Sequence, residues 1–150
     1  MSPEPVSAST SNYFVLILED DAVRLDRFRK ALNLVDSRAR LMCWRDANQM
    51  VREACTYLPE SRLISLDHDL YQDSQDSSGD PGDGLVVAKF LASREPQCPV
   101  IVHSSNGDRA RMMIGELEFS GWSVRRVAPL GQDWVEAYWG VVVRSLLAGV

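Results

Sequence analysis

Three apolar segments of the sequence end in side chains that can bind metal ions or transfer protons. Residues 19–21 (EDD) follow YFVLIL, residues 67–69 (DHD) follow LISL, and residues 103–106 (HSSN) follow PVIV. A strand that is buried on both faces is apolar along its length, so polar residues at its end mark the point where the chain leaves the core. In parallel sheets, ligands bind beyond the carboxyl ends of the strands. The pattern therefore predicts one polar site built from three strand ends.

The acidic residues of this predicted site favour a hard divalent cation. Carboxylates that lie within a few ångströms of one another repel unless a cation neutralises them, and Mg²⁺ or Mn²⁺ prefers oxygen ligands. We expect the metal ligands to be Asp20, Asp21, Asp67 and Asp69. The alternative is that a single acidic residue at a strand end caps a helix, and it applies to Asp21 in particular.

The remaining side chains at the site fit phosphoryl chemistry. A bound metal polarises a phosphoryl oxygen, and a hydroxyl such as that of Ser104 can hold another. Either Asp67 or an activated water would be the nucleophile. His68 and His103, the only two histidines of the chain, titrate nearest to neutral pH and would share the acid and base roles. For either histidine alone, a structural role at a strand end is the alternative.

Apolar runs alternate with segments of helical periodicity along the chain. Strands are predicted at 13–18, 39–44, 62–66, 99–105 and 122–129, and helices at 22–34, 46–57, 85–93, 108–120 and 132–147. This alternation predicts an α/β fold, a doubly wound five-stranded parallel sheet between two helical layers. A flavodoxin-like strand order of 2-1-3-4-5 would bring strands one, three and four together. Residues 13–150 would form this one domain, and residues 1–12 a polar tail.

Two details of side-chain direction follow from these elements. The last helix should bury one stripe of residues, namely Val135, Tyr138, Val142 and Leu146. Within the fourth strand, alternation would send His103 and Ser104 to opposite faces unless the strand has already ended.

Composition and charge restrict the class of protein. The formal net charge of −5 argues against broad, unspecific binding of nucleic acid, but not against a small pocket for a phosphate end. Cys43, Cys55 and Cys98 are odd in number and lack C-x-x-C spacing, which is typical of reduced thiols. The start of the sequence lacks a signal-peptide pattern, and the apolar ending is too short to span a membrane. We therefore expect a cytoplasmic protein with no membrane segment.

The motifs DDA, LISLDHDL, DG and VIVHSS occur in this order and resemble those of response-regulator receiver domains. The resemblance covers roughly residues 13–148. It implies that Asp20 and Asp21 bind Mg²⁺, that Asp67 accepts a phosphoryl group and that Ser104 contacts this group. It also implies a histidine kinase or a downstream protein as partner, and a possible dimer face at the last helix.

The sequence departs from the receiver pattern after the fifth strand. Receivers normally carry a lysine before the proline at this point, whereas this chain has Ala128 before Pro129. A regular phosphorylation switch is therefore disfavoured. Arg125 or Arg126 would partly substitute for the lysine, but alternation along the strand allows at most one of them to point towards the site.

A narrower resemblance is to the cyclic-phosphate-processing receiver-like family. Its motifs are matched by SLDHDL, then DGLVVAKFL, then IVHSSN. The resemblance implies action on cyclic phosphate ends, in particular those of RNA. The functional positions that it implies are Asp20, Asp21, Asp67, His68, Asp69, His103, Ser104 and Asn106.

Two functions are compatible with these observations. The leading hypothesis is a metal-assisted phosphoesterase that opens a cyclic phosphate on a small molecule or an RNA end. Its catalytic residues would be Asp67, His68, His103 and Ser104, and its phosphate-binding residues Ser104, Ser105, Asn106 and Arg109. The alternative is an atypical receiver that is phosphorylated on Asp67 in signal transduction, and a third possibility is an inert scaffold. In the phosphoesterase or in the atypical receiver, the acidic loop 71–83 would be a mobile lid over the site.

Overall fold

The computed structural model describes residues 11–70 and 80–149, and these form one five-stranded parallel sheet. The strands are β1 (Tyr13–Leu18), β2 (Ala39–Trp44), β3 (Ser61–Leu66), β4 (Val100–Val102) and β5 (Val124–Arg126). Their order is β2-β1-β3-β4-β5, and every neighbouring pair is parallel. The predicted fold class and strand order are confirmed. Most of the predicted lid, residues 71–79, lies outside the described residues, as do residues 1–10.

Helices cover both faces of the sheet. They are α1 (Ala22–Val35), α2 (Ala47–Tyr57), α3 (Gly84–Ala92), α4 (Gly107–Phe119) and α5 (Gly140–Ala148), with a 3₁₀ turn (Leu58–Glu60) and a π-helical turn (Val135–Trp139). The first and last helices share one core with Val15 and Ile17, and the other three share a second core with Leu16 and Leu18. Successive residues of a strand point to opposite faces, so β1 supplies both cores. In residues 11–70 and 80–149, no helix is long and apolar enough to cross a membrane.

Four helices begin at side-chain caps that directly follow a strand or a loop. The carboxylate of Asp21 accepts hydrogen bonds from two amides of the first turn of α1. Asp46, Asp83 and Asn106 cap α2, α3 and α4, each with a side-chain oxygen that accepts one backbone amide. Each cap satisfies backbone donors that the helix itself leaves unpaired. The capping role of Asp21 is thus confirmed, and its role as a metal ligand stays a prediction.

The observed β4 and β5 are shorter than the strands predicted at 99–105 and 122–129. β4 ends at Val102, because the chain then turns towards the cap of α4 at Asn106. The strand has therefore ended before His103 and Ser104, and its alternation does not apply to them. Both side chains are fully buried.

The π-helical turn changes which residues of the last helical segment face the core. Its final hydrogen bond joins the amide of Gly140 to the carbonyl of Val135, five residues back instead of four. Trp139 is fully buried, whereas Tyr138 is half exposed. The predicted stripe is wrong at Tyr138, because the wider turn brings the fourth residue after Val135 onto the sheet instead of the third.

The start of α3 lies against the end of β3, and this close approach requires a glycine. The amide of Gly84 donates a hydrogen bond to the carbonyl of His68 at 2.9 Å. A Cβ at position 84 would overlap the backbone carbonyl of Asp67 and would lie 2.7 Å from the terminal methyl of Met113. Gly84 therefore allows α3 to pack directly on the backbone that carries Asp67.

We predict that Gly84→Ala destabilises the fold by more than about 2 kcal/mol, because overpacking of this kind costs about 1–3 kcal/mol even where neighbours can move. Gly115→Ala is the matched control, since Gly115 lies in α4 and a Cβ at that position meets nothing within 4 Å. It should stabilise the protein by about 0.5–1 kcal/mol, the usual gain for alanine over glycine in a helix. Urea unfolding followed by circular dichroism measures both effects, and equal effects would contradict the prediction.

Candidate functional site

The carboxyl ends of β1, β3 and β4 border an acidic cleft of about 240 Å³. Its lining consists of Asp20, Asp21, Arg24, Asp67, Asp69 and Ser105. Glu19, Asp67 and His103 each offer one potential ligand atom here, and these three atoms all lie within 4.8 Å of one another. Each of the three residues directly follows a different one of these strands. The strand ends therefore meet at one edge of the sheet.

Glu19 is fully buried directly after β1. Its Oε2 accepts the amides of Asp20 and Asp21, each at 3.1 Å. Its Oε1 lies 3.2 Å from Nε2 of His103 and 3.8 Å from the guanidinium of Arg24. Burial raises the pKa of Glu19, but these donors, His103 foremost, outweigh it and hold the pKa below its usual value. Glu19 is thus a buried carboxylate that stays ionised at neutral pH.

Asp67 is the second buried carboxylate of the site, with 6% of its surface exposed. Its Oδ1 accepts the backbone amide of His68 at 2.8 Å. Burial is the main cause that raises the pKa of Asp67 from 3.8 to about 6. The negative charges of Glu19 and Asp20 raise this pKa further, whereas the hydrogen bond from the His68 amide lowers it. The repulsion among these carboxylates is what a divalent cation would relieve.

His103 joins Glu19 to the core through a chain of hydrogen bonds. Its Nδ1 lies 2.7 Å from the hydroxyl of Ser65, which also receives the indole N–H of Trp139 at 3.0 Å. The indole only donates and the ionised Glu19 carboxylate only accepts, so the Ser65 oxygen accepts from Trp139 and its own hydrogen can donate to Nδ1. His103 then carries its proton on Nε2 and donates it to Glu19. The chain crosses the core from the last helical segment to the site.

Aromatic side chains enclose the ring of His103. Its centroid lies 5.1 Å from that of Phe28 and 6.1 Å from that of Trp134. His103 is fully buried and does not line the cleft. The structure thus places it behind Glu19, where it orients that carboxylate as the outer partner of a metal ligand does. Proton transfer between His103 and a substrate would have to pass through Glu19.

His68 occupies a different environment, at the start of the segment that leads to α3. Its Nδ1 lies 2.7 Å from a carboxylate oxygen of Asp69. Its Nε2 lies 3.5 Å from Asp83 and has no hydrogen-bond partner among residues 11–70 and 80–149. His68 is buried and is not part of the cleft lining. His68 is connected to the cleft by its hydrogen bond to Asp69, which lines the cleft.

The residues predicted to bind phosphate fall into two groups. Ser105 is exposed and lines the cleft. Ser104 is fully buried, and its hydroxyl accepts the amide of Asn106 at 3.1 Å. Asn106 caps α4, and Arg109 is exposed and contacts the sulfur of Met112 at 3.6 Å. Of the four predicted residues, the structure brings Ser105 alone into the cleft lining.

All four predicted metal ligands line the cleft, but two of them have other partners. The carboxylate of Asp21 caps α1, and that of Asp69 is bonded to His68. Glu19, which the prediction of ligands left out, lies beside Asp67 in the cluster of potential ligand atoms. A signal for it exists in the sequence, because Glu19 is the first polar residue after the buried strand.

Three further residues of the site were missed from the sequence. Ser65 lies within the apolar run LISL, and a lone hydroxyl in a buried strand indicates a specific hydrogen bond. Trp139 and Arg24 carry no comparable signal. They reach the site only because the π-helical turn and the first turn of α1 face it.

A family model described as the cyclic-phosphate processing receiver domain matches residues 15–119. The match spans more than half of the chain and includes the ends of β1, β3 and β4. The chain belongs to this family. Its fold is that of a receiver domain of the response-regulator type. Among curated proteins, no sequence matches this receiver domain.

Solved receiver structures resemble this receiver domain along nearly its whole length. The isolated receiver domain of RcsB from Salmonella enterica serovar Typhimurium is 18% identical, with a TM-score of 0.59 over 89% of this chain and 90% of that chain. A chain of the CheX–CheY–BeF3⁻–Mg²⁺ complex from Borrelia burgdorferi is 15% identical, with a TM-score of 0.61 over 95% of this chain and 92% of that chain. A receiver domain from Rhodospirillum rubrum is 14% identical, with a TM-score of 0.64 over 91% of this chain and 94% of that chain. At these identities the likeness establishes the fold alone.

The end of β5 supplies no cation to the cleft of this receiver domain. Ala128, which stands where receivers normally carry a lysine, lines an apolar groove beside the last helical segment. Arg125 and Arg126 are exposed, and neither lines the cleft. The guanidinium of Arg126 donates instead to the backbone carbonyl of Ser104 at 3.2 Å.

We predict that Asp67→Asn stabilises the metal-free protein at pH 8 by about 3 kcal/mol, the value of two pKa units. The folded state holds a proton on Asp67 up to about pH 6, whereas the unfolded state loses it near 3.8. Wild-type stability therefore falls as pH rises from about 4 to 6, and the advantage of asparagine appears over the same range.

Urea unfolding between pH 4 and pH 8 tests this dependence. Asp26→Asn is the matched control, because Asp26 is exposed and forms only an ion pair with Lys30 on the surface of α1. Addition of Mg²⁺ should narrow the difference between Asp67→Asn and wild type. If Asp67→Asn raised the free energy of unfolding by the same amount at every pH, Asp67 would not be the titrating group.

The hydrogen-bond chain predicts the tautomer of His103. In the wild type, ¹⁵N–¹H correlation spectra at pH 8 should show His103 with its proton on Nε2 and a bare Nδ1. Trp139→Phe removes the donor that fixes the Ser65 hydroxyl, so a mixture of tautomers should appear. Tyr138→Phe, one residue away and half exposed, should leave the spectrum unchanged. A wild-type proton on Nδ1 would contradict the proposed direction of the chain.

Proposed function

We propose that this receiver domain hydrolyses a cyclic phosphate ester in its acidic cleft with the help of Mg²⁺. The observation that carries the proposal is the placement of Asp67, a buried carboxylate that lines the cleft and whose ligand atom lies within 4.8 Å of that of Glu19. A carboxylate placed beside both a bound cation and a water is suited to take up the proton of that water. The description of the family supports a cyclic phosphate as the substrate class.

The donor set of the cleft fits a hard divalent cation. Glu19, Asp20 and Asp67 offer carboxylate oxygens at adjacent strand ends, and the raised pKa of Asp67 reflects their mutual repulsion as well as burial. Mg²⁺ or Mn²⁺ held by these three would neutralise their charge and polarise a phosphoryl oxygen. Asp21 and Asp69 would stay at the rim of the cleft. His103 would orient Glu19 without binding the ion, because its Nε2 proton is donated to that carboxylate.

Asp67 would be the base that activates water. A carboxylate has about four lone-pair sites, and the His68 amide occupies one of them, so Asp67 can contact the cation and a water together. Water adds to phosphorus and gives its proton to Asp67, while one of the two ring ester bonds breaks. The departing oxygen takes a proton from solvent, and the product is a phosphate monoester. Ser105, at the cleft surface, would donate a hydrogen bond to a phosphoryl oxygen.

The surrounding charge limits the substrates to a phosphate end. The net charge is −5, and four of the six residues that line the cleft are aspartates. A long polyanion would be repelled beyond its terminal group. The substrate would therefore be a small cyclic phosphate or the cyclic end of an RNA whose remaining nucleotides point away from the protein.

The second candidate function is a phosphoaccepting receiver. The position of Asp67 at the end of β3 in a receiver fold favours it, and two of the similar receiver structures are complexes with the phosphomimetic BeF3⁻. Asp67 would then attack an activated phosphate and keep the phosphoryl group. A histidine kinase would supply that group, and a downstream protein would bind the modified domain.

Turnover of 2′,3′-cyclic AMP with Mg²⁺ is the test of the leading proposal. Asp67→Asn should lower kcat by about 10²-fold or more, the usual contribution of a general base, and Asp26→Asn should match the wild type. Chelation of the metal with EDTA should abolish turnover, and added Mg²⁺ should restore it. In a parallel reaction, acetyl phosphate is supplied and the intact mass of the protein is measured.

The outcomes separate the two functions. Turnover that depends on Asp67 and on the metal supports the hydrolase. A stable mass increase of one phosphoryl group on Asp67 without turnover of the cyclic nucleotide supports the phosphoaccepting receiver and contradicts the hydrolase. If neither occurs, both proposals are wrong and the domain acts by other means.

A further inference from the structure

The cleft needs a cation that the protein itself supplies if it is to bind a phosphate. Its lining includes four aspartates, and Glu19 adds a fifth carboxylate that stays ionised. One divalent ion offsets only two of these charges, so the site would remain negative towards a phosphate anion. In receivers a lysine at the end of β5 normally meets this need, but here that position is Ala128, which lies in another groove.

Arg24 is the basic side chain that reaches the cleft. Every lysine and arginine of the chain lies within the described residues, and among them only Arg24 lines the cleft. Other arginines nearby are directed elsewhere: Arg126 donates to the carbonyl of Ser104, and Arg45 donates to the carbonyl of Asp20.

Two contacts hold the guanidinium of Arg24 at the cleft. Its central carbon lies 5.6 Å from the centroid of Trp134, which provides a cation–π contact. Its Nη1 lies 3.8 Å from Oε1 of Glu19, longer than a hydrogen bond. The side chain is about one-third exposed, at 36%. The head group is thus placed by a flat aromatic surface and remains accessible from the cleft.

We propose that Arg24 binds the phosphate group of the substrate and replaces the cation that β5 lacks. The inference rests on the proposed function, because it assigns a residue to the same cleft. A guanidinium presents parallel N–H donors that match two phosphate oxygens, and it stays protonated at all relevant pH values. The ligand class is a phosphate ester or free phosphate, bound beside the divalent ion.

A structural role for Arg24 predicts a different set of affinities. If Arg24 only neutralised Glu19, its removal would disturb that carboxylate and weaken Mg²⁺ and phosphate together. If Arg24 binds phosphate, its removal weakens the anion alone. The Mg²⁺ affinity then stays the same or rises, because a positive charge 3.8 Å from Glu19 is gone.

The experiment measures the two ligands separately on the full chain. Isothermal titration gives the Kd of Mg²⁺ alone, then the Kd of inorganic phosphate at saturating Mg²⁺, and turnover gives the KM for 2′,3′-cyclic AMP. Arg24→Gln should raise the phosphate Kd and this KM by about tenfold, the value of a charged hydrogen bond, without raising the Mg²⁺ Kd. For Arg24→Lys, the phosphate Kd and the KM should lie between those of the wild type and those of Arg24→Gln, because an ammonium keeps the charge but loses the planar pair of donors. Arg29→Gln, an exposed arginine later in the same helix, is the matched control and should equal the wild type.

Each result supports or overturns the proposal. A parallel loss of Mg²⁺ and phosphate affinity in Arg24→Gln, or unchanged phosphate affinity, would overturn the role of Arg24 while leaving the proposed function standing. A wild type that binds neither phosphate nor the cyclic nucleotide would overturn both. If Arg24→Gln does not fold, as judged by circular dichroism, Arg24→Lys decides: a raised phosphate Kd with an unchanged Mg²⁺ Kd supports the proposal, and any other result overturns it.

Discussion

The burial of two carboxylates side by side is the constraint on which the site depends. Glu19 and Asp67 directly follow β1 and β3, which are neighbours in the sheet. The hydrogen bonds to Glu19 favour its charge, so the cost of placing two negative groups together falls on Asp67. The unequal division gives the cleft one fixed anion and one carboxyl group that can gain or lose a proton near neutral pH. A cation, a proton or a bound ligand is needed to relieve the repulsion.

The polar chain from Trp139 to Glu19 explains how an apolar core supports this charge. Ser65 and His103 are fully buried, and their side chains bond to each other, to Trp139 and to Glu19. A buried polar network contributes to stability only when each member is satisfied, and here a donor-only indole stands at one end of the network and an acceptor-only carboxylate at the other. Trp139 can take part because the π-helical turn brings it onto the sheet. The geometry of the acidic site is therefore coupled to the packing of the last helical segment.

The fold and the place of the site were predictable because each depends on patterns that extend over many residues. Apolar runs alternate with helical segments, and polar residues follow three of the runs, so the strand order brings those ends together. The roles of single residues depend on finer detail. The roles of Glu19 and Asp21 depend on the residue at which β1 ends: Glu19 is buried beside Asp67, and Asp21 caps α1 at the rim of the cleft. In the same way, the burial of His103 follows from aromatic neighbours on distant helices, which no local pattern specifies.

The position of Arg24 is unfavourable by the local rules of helix formation, and this bears on its role. The first turn of a helix carries a partial positive charge, so a cation there is destabilising by about 0.3–1 kcal/mol. Beyond its cap Asp21, α1 has no acidic residue in that turn to compensate, and Arg24 lies three residues after the cap. Glu19 and the acidic cleft offset the cost. Positions where a sequence departs from local preference tend to be functional sites, and an arginine in the first turn of a helix, beside an acidic cleft, is such a departure.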